Sequence, residues 1–197
     1  MKNAAALPHG YCERARVDLR ADPRQARIVS GAAVVIAAVL AAAGAHFVPL
    51  RAAFSGGHVP LKLAAALAGA AAGVVLHELV HGVFIRLLGG VKPRYGFTGR
   101  YACAGSGAYF CKRDYIIIAL APAVLLGLSL ALAAALAPAG WFWSVYIVQI
   151  VNLSGAAGDY CAVCRLLRLR GDLLIGDTGL TMIVYQKEGA ARNESSR

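Results

Sequence analysis

Long apolar runs constrain this chain more than any other sequence feature. Four stretches, residues 28–48, 61–88, 115–136 and 141–169, are dominated by apolar side chains. A helix needs about 20 such residues to cross the hydrocarbon core of a bilayer. A bundle of soluble helices would instead carry a polar stripe along each helix, and residues 28–48 and 115–136 have none. The sequence therefore predicts an all-α membrane protein with about four transmembrane helices, embedded in a lipid bilayer.

Basic residues mark one side of this predicted membrane domain. The formal net charge is +10, but the charges are gathered in three places rather than spread over a nucleic-acid-binding face. Of the 20 Lys and Arg residues, only Arg51 and Lys62 fall on the side where residues 49–60 and 137–140 connect the spans. The other 18 lie on the opposite side, which the positive-inside rule makes the cytoplasm. We expect both termini in the cytoplasm and no nucleic-acid partner.

The regions outside the spans have different characters. Residues 1–27 form a basic arm without a clear periodicity, residues 28–169 form the four-helix transmembrane domain, and residues 170–197 form a cytoplasmic tail. Aromatic residues alternate with glycines in residues 89–114, which predicts a hairpin or re-entrant loop on the cytoplasmic side. In the tail, two apolar stretches flank Asp177-Thr178-Gly179 and predict a short β-hairpin.

The second span contains the sequence His77-Glu78-Leu79-Val80-His81, an HExxH motif. On a helix the two histidines lie one turn apart on the same face, so both imidazoles can reach one Zn²⁺. Glu78 lies one residue around the helix, where it can act as general base on the water that the metal activates. Ionisable residues inside a membrane span are costly and are usually functional. The motif predicts a zinc peptidase.

A catalytic zinc site of this kind needs a third protein ligand. Apart from Glu78, Asp159 is the only acidic residue within a predicted span. At 1.5 Å per residue, His77, His81 and Asp159 lie roughly 17, 11 and 15 Å from the cytoplasmic ends of their spans. Three groups at similar depth on two helices can share one metal ion. We therefore predict that His77, His81 and Asp159 bind the zinc.

These motifs resemble those of two groups of proteins. An HExxH span followed by Asn152 and Asp159 in a later span is similar to the site-2 protease group of intramembrane metalloproteases. In that group Asn-x-x-Pro precedes an Asp-Gly whose aspartate is the third zinc ligand, whereas here Gly155 stands in the position of the proline. The resemblance implies a catalytic role for Asn152, beside the zinc-ligand role of Asp159.

A closer resemblance is to a family of small bacterial four-span proteins, classed as zincin peptidases of unknown function. It rests on the HExxH span, Ala121-Pro122 in the next span, Gly158-Asp159 in the last span and Asp177-Thr178-Gly179 in the tail. The resemblance covers most of the chain beyond residue 60. It implies peptidase activity by motif and a location in a bacterial inner membrane.

The sequence thus favours a zinc endopeptidase that cleaves a membrane-embedded or juxtamembrane peptide near the cytoplasmic side. Two alternatives remain open. One is a non-catalytic membrane protein in which zinc or a polar cluster fixes the helix packing, and the other is a zinc hydrolase of a lipid-like substrate. Glu78 separates the enzyme from the structural site, because a site without chemistry has no need of a base beside the metal.

Overall fold

Helices dominate the fold of this protein. The computed structural model describes residues 3–19, 21–99 and 102–188, so the last nine residues of the predicted tail lie outside the described residues. The helices are α1 (Pro23–Phe47), α2 (Val59–Gly89), α3 (Lys112–Leu136), α4 (Ala139–Gly155) and α5 (Ala157–Arg168), with a 3-10 turn at Leu50–Phe54. The strands are β1 (Tyr11–Asp18), β2 (Arg94–Phe97), β3 (Ala102–Gly105), β4 (Tyr109–Cys111), β5 (Leu173–Asp177) and β6 (Thr181–Lys187).

Within the described residues, four helical segments are long and apolar enough to cross a membrane, which confirms the number predicted from sequence. They are α1, α2, α3 and the consecutive pair α4 and α5. Large apolar side chains on these helices point outward, as at Val34, Leu67 and Leu128, which are 69%, 64% and 68% exposed. Extended apolar surface of this kind is typical of proteins that face lipid or a partner rather than water. Length and composition therefore indicate an integral membrane protein.

The sequence suggested one continuous helix for the fourth span, but the structure has two consecutive helices there. Helix α4 ends at Gly155, and Ala156 has a backbone ψ angle of 6°, outside the helical range. A new helix, α5, begins at Ala157. The interruption places Asp159 in the first turn of α5, where the exposed N–H groups of a helix favour a negative charge.

The chain divides into two compact units. One comprises the described residues of Met1–Ile28, Glu78–Ala121 and Asp159–Arg197, and the other comprises Val29–His77 and Pro122–Gly158. The boundaries at residues 77 and 121 fall inside the helices α2 and α3, which run unbroken through both units.

The first unit contains an antiparallel sheet with the strand order β1-β6-β5-β4. Strands β5 and β6 form the hairpin predicted for the tail, with Leu174 opposite Tyr185. Side chains from this sheet and from the helices of the same unit share one apolar core. Its most buried members are Phe110, Leu166, Leu173, Ile175 and Val184.

Residues 1–27, described from sequence as a basic arm without a clear periodicity, include a strand at Tyr11–Asp18. This segment is β1, which pairs with β6 along its length. Ala15 and Val17 pack against the core of the first unit, whereas Arg16 between them is exposed. This strand could not be predicted from the sequence, because the strand with which it pairs lies more than 160 residues away and the apolar face of β1 is small. For the same reason the all-α interpretation missed the four-stranded sheet.

The predicted aromatic and glycine-rich hairpin is present as β2 and β3, with Tyr95 opposite Ala104. Gly105 at the end of β3 lies against the turn between β5 and β6, since a Cβ atom at Gly105 would be 2.2 Å from the carbonyl carbon of Thr178. In that turn Gly179 has a φ of +94°, which glycine adopts without strain. The hairpin β2–β3 and the tail hairpin are therefore fitted closely to each other.

The second unit is a bundle of helices. Val148 on α4 packs over two glycines of α2, because Cβ atoms at Gly69 and Gly73 would lie 2.9 and 3.4 Å from its methyl groups. Small residues of this kind let helices approach closely where lipid provides no hydrophobic driving force. The amide of Gln149 donates a hydrogen bond to the carbonyl oxygen of Gly127 on α3, 2.9 Å away.

Candidate metal centre

The HExxH motif lies in the C-terminal half of α2, a helix of 31 residues without a break. His77 and His81 are both buried, with 8% and 7% of their surfaces exposed. His77 and Glu78 are assigned to different units, but both lie in the continuous helix α2. The helix backbone therefore places His77 one turn from His81. Burying two imidazoles on one helix face carries a cost unless each finds a hydrogen-bond partner.

His81 is held by two groups within the first unit. Its Nδ1 lies 2.9 Å from the backbone carbonyl oxygen of Ile118 on α3. A carbonyl oxygen only accepts hydrogen bonds, so the Nδ1 atom carries the proton and donates it. In the neutral imidazole the lone pair is then on Nε2, the atom that a metal needs. The Nε2 atom lies 3.6 Å from the carboxylate Oδ2 of Asp159.

His77 is oriented in the same manner by a side chain of the second unit. Its Nδ1 lies 3.1 Å from the Oδ1 atom of Asn152 on α4, and both residues are buried. When the Asn152 carboxamide oxygen accepts this bond, the proton is on Nδ1 and the lone pair on Nε2. Both histidines of the motif are therefore set in the tautomer that ligates through Nε2. The resemblance implied a catalytic role for Asn152, and in the structure its side chain contacts His77.

The residues predicted as zinc ligands form a group that could hold a metal ion. Each of His77, His81 and Asp159 offers one ligand atom, and these atoms lie within 4.8 Å of one another. Two ligands at about 2.0–2.2 Å from a tetrahedral zinc ion are roughly 3.4 Å apart, close to the 3.6 Å between His81 and Asp159. Two histidines and one carboxylate are also a donor set that catalytic zinc sites use. The residues present fit zinc.

Asp114, another acidic residue near a membrane boundary, is engaged elsewhere. Its Oδ2 accepts a hydrogen bond of 2.7 Å from the side chain of Asn3. Asn3 also accepts a hydrogen bond from the backbone N–H of Cys111 and donates one to the carbonyl oxygen of Leu88. Asp114 therefore ties the N-terminal segment to the start of α3.

Sequence reasoning missed a second polar cluster in the first unit. The hydroxyl of Tyr115 on α3 donates a hydrogen bond to Oδ2 of Asp177, and the backbone N–H of Gly179 donates one of 2.6 Å to Oδ1. Burial raises the pKa of the Asp177 carboxyl, and the charge of Asp159 adds to this effect, while the two hydrogen bonds oppose it. The Asp-x-Gly motif was the only signal of this cluster, and it indicated a turn rather than a tyrosine partner.

Comparison with known protein families agrees with this arrangement. The family model described as "Putative zincin peptidase" matches residues 70–173, more than half of the 197-residue chain. The chain belongs to this family. Zincins are metallopeptidases that bind zinc, so membership supports a metallopeptidase at this general level. No curated protein and no solved structure matches the chain.

Proposed function

We propose that this protein is a zinc-dependent endopeptidase that cleaves a membrane-embedded or juxtamembrane peptide near the cytoplasmic side. The observation that carries the proposal is the approach of Asp159 to His81 of the HExxH motif, with 3.6 Å between the carboxylate and Nε2. A carboxylate from a separate helix at this distance supplies the third ligand that the motif lacks. Family membership supports the same class of chemistry.

Each side chain has a distinct task in the proposed reaction. His77, His81 and Asp159 hold the metal, and a bound Zn²⁺ would activate a water molecule and polarise the scissile carbonyl group. Glu78 takes the proton from the attacking water and delivers it to the leaving amine. Asn152 and the carbonyl of Ile118 keep the two histidines in the ligating tautomer throughout.

The bilayer location of the substrate follows from the position of the motif in the chain. His77 and His81 lie within a candidate membrane span, and Asp159 lies within another. A peptide that reaches these residues has to enter the membrane or its inner boundary. The distribution of Lys and Arg supports an orientation with both termini in the cytoplasm of a bacterium, and hence a site that opens toward that side.

Metal analysis tests the proposal before any substrate is known. We expect one zinc ion per chain in the purified protein, and sharply reduced zinc in His77→Ala and Asp159→Ala. His46→Ala is the matched control, since His46 is exposed near the end of α1 and should leave zinc content unchanged. Full zinc retention in Asp159→Ala would overturn the ligand assignment, and a zinc-free wild-type protein would overturn the proposed function.

A further inference from the structure

The carbonyl group that holds His81 belongs to an unusual position in α3. In an α-helix each carbonyl accepts a hydrogen bond from the N–H four residues later. The residue four positions after Ile118 is Pro122, which lies inside α3 and has no N–H. The helix therefore supplies no such donor to the carbonyl of Ile118, and the Nδ1 of His81 occupies that place at 2.9 Å.

Proline acts on the same carbonyl in a second way. Its ring crowds the carbonyl of the residue four positions earlier and bends the helix there. For Pro122 that residue is again Ile118. Both effects make the Ile118 oxygen available to a side chain from outside the helix.

The surroundings make this hydrogen bond strong. Pro122 is fully buried, and Ile118 and His81 are buried as well. A hydrogen bond away from water gains electrostatic strength, and its loss leaves a buried polar group unsatisfied. A proline inside a helix normally weakens that helix. In α3 the hydrogen bond from His81 to the Ile118 carbonyl replaces the backbone hydrogen bond that the proline removes.

We propose that Pro122 is a positioning residue for the metal centre. Because Pro122 has no backbone N–H, the Ile118 carbonyl is free to accept a hydrogen bond from His81. This bond fixes the proton on Nδ1 and directs Nε2 toward the metal. This inference rests on the proposed function, because it treats His81 as a zinc ligand. The role of the Ala121-Pro122 motif would then be to orient His81.

One substitution at Pro122 is expected to weaken zinc binding without weakening the fold. Pro122→Ala restores a helical N–H that competes for the Ile118 oxygen, and it also removes an unfavourable residue from the helix. Loss of a group that orients a ligating histidine weakens metal binding by about 10–100-fold. A carbonyl oxygen has two lone pairs and can be shared, so we expect the lower end, a loss of about 10-fold in zinc affinity, without a loss of thermal stability.

The experiment measures zinc affinity of the full-length protein in detergent by competition with a chelator. Pro60→Ala is the matched control, because Pro60 is the second residue of α2, where a first-turn N–H has no helical acceptor. A second variant carries the α-hydroxy acid analogue of alanine at position 122. Its ester linkage has no N–H, so affinity should return toward the wild-type value although the proline ring is gone.

The outcomes separate this inference from the proposed function. Weaker zinc binding in Pro122→Ala, with wild-type affinity in Pro60→Ala and recovery in the ester variant, supports the inference. Wild-type affinity in Pro122→Ala overturns the inference and leaves the zinc peptidase proposal standing. Equal loss in Pro122→Ala and the ester variant also overturns it, since the ring rather than the missing N–H would then matter. A wild-type protein that binds no zinc overturns both.

Discussion

The Nδ1 atom of His77 lies 3.1 Å from the side-chain oxygen of Asn152, and both residues are buried. This hydrogen bond joins the first histidine of the HExxH motif to the helix that precedes Asp159. It also gives a partner to a buried polar side chain near the C-terminal end of the apolar helix α4. A hydrogen-bond acceptor behind a ligating histidine increases the basicity of the ring and fixes its orientation.

Asn152→Leu should therefore weaken zinc binding by about 10–100-fold, because it removes that acceptor while keeping a similar volume. Asn152→Asp retains an acceptor and should bind zinc close to the wild-type level. Ser154→Ala serves as the control, since the Ser154 hydroxyl bonds only to the carbonyl of Ile150 within α4, among the contacts described. Chelator competition provides the measurement, and wild-type affinity in Asn152→Leu would show that the bond does not support the metal centre.

Some parts of this arrangement could be predicted from sequence, and others could not. The helices and the HExxH face follow from local periodicity, and Asp159 follows from being the one other acid in a span. The contacts that orient the histidines depend on residues far apart in the chain. His81 binds a backbone carbonyl at Ile118, which has no side-chain signature. Strand β1 and the Tyr115–Asp177 contact likewise arise from pairing with the distant tail.

The close fit of β3 against the tail hairpin predicts a specific steric effect. Gly105→Ala would place a Cβ atom 2.2 Å from the backbone of Thr178, and backbone atoms cannot move aside as a flexible side chain can. We expect a loss of roughly 1–3 kcal/mol in the free energy of unfolding, as for other overpacked sites. Gly107→Ala is the matched control, since a Cβ there meets nothing within 4 Å. Denaturant titration in detergent compares the two, and equal stability would contradict the fit described for β3.

The buried carboxyl of Asp177 predicts a pH dependence of stability. Burial raises its pKa in the folded protein, so the folded state binds this proton more tightly than the unfolded state does. Stability from this group is thus greatest below its unfolded pKa of about 3.9 and falls as the pH rises toward the folded pKa. Asp177→Asn cannot titrate, so the wild-type protein should lose stability relative to this variant across that interval. A constant difference between the two proteins over the same pH range would be inconsistent with the raised pKa.

The proposed orientation in the membrane predicts which loops are accessible from outside the cell. In a chain whose five native cysteines are replaced, Phe54→Cys introduces a thiol in the exposed turn between α1 and α2. Asp172→Cys introduces one in the exposed connection before β5. A membrane-impermeant thiol reagent added to intact cells should label the first variant and not the second. The reverse pattern would invert the topology.

Glu78 is proposed to transfer the proton in a zinc-loaded peptidase, and replacing it with glutamine tests this role. Glu78→Gln keeps the size of the side chain and removes its ability to take a proton. Peptide termini newly formed in membranes are compared between cells that express the wild type and cells that express this variant, after equal zinc content has been established for the two purified proteins. We predict that cleavage falls by about 10²–10⁴-fold in Glu78→Gln, the usual contribution of a general base. Undiminished cleavage by the zinc-loaded variant would contradict the mechanism.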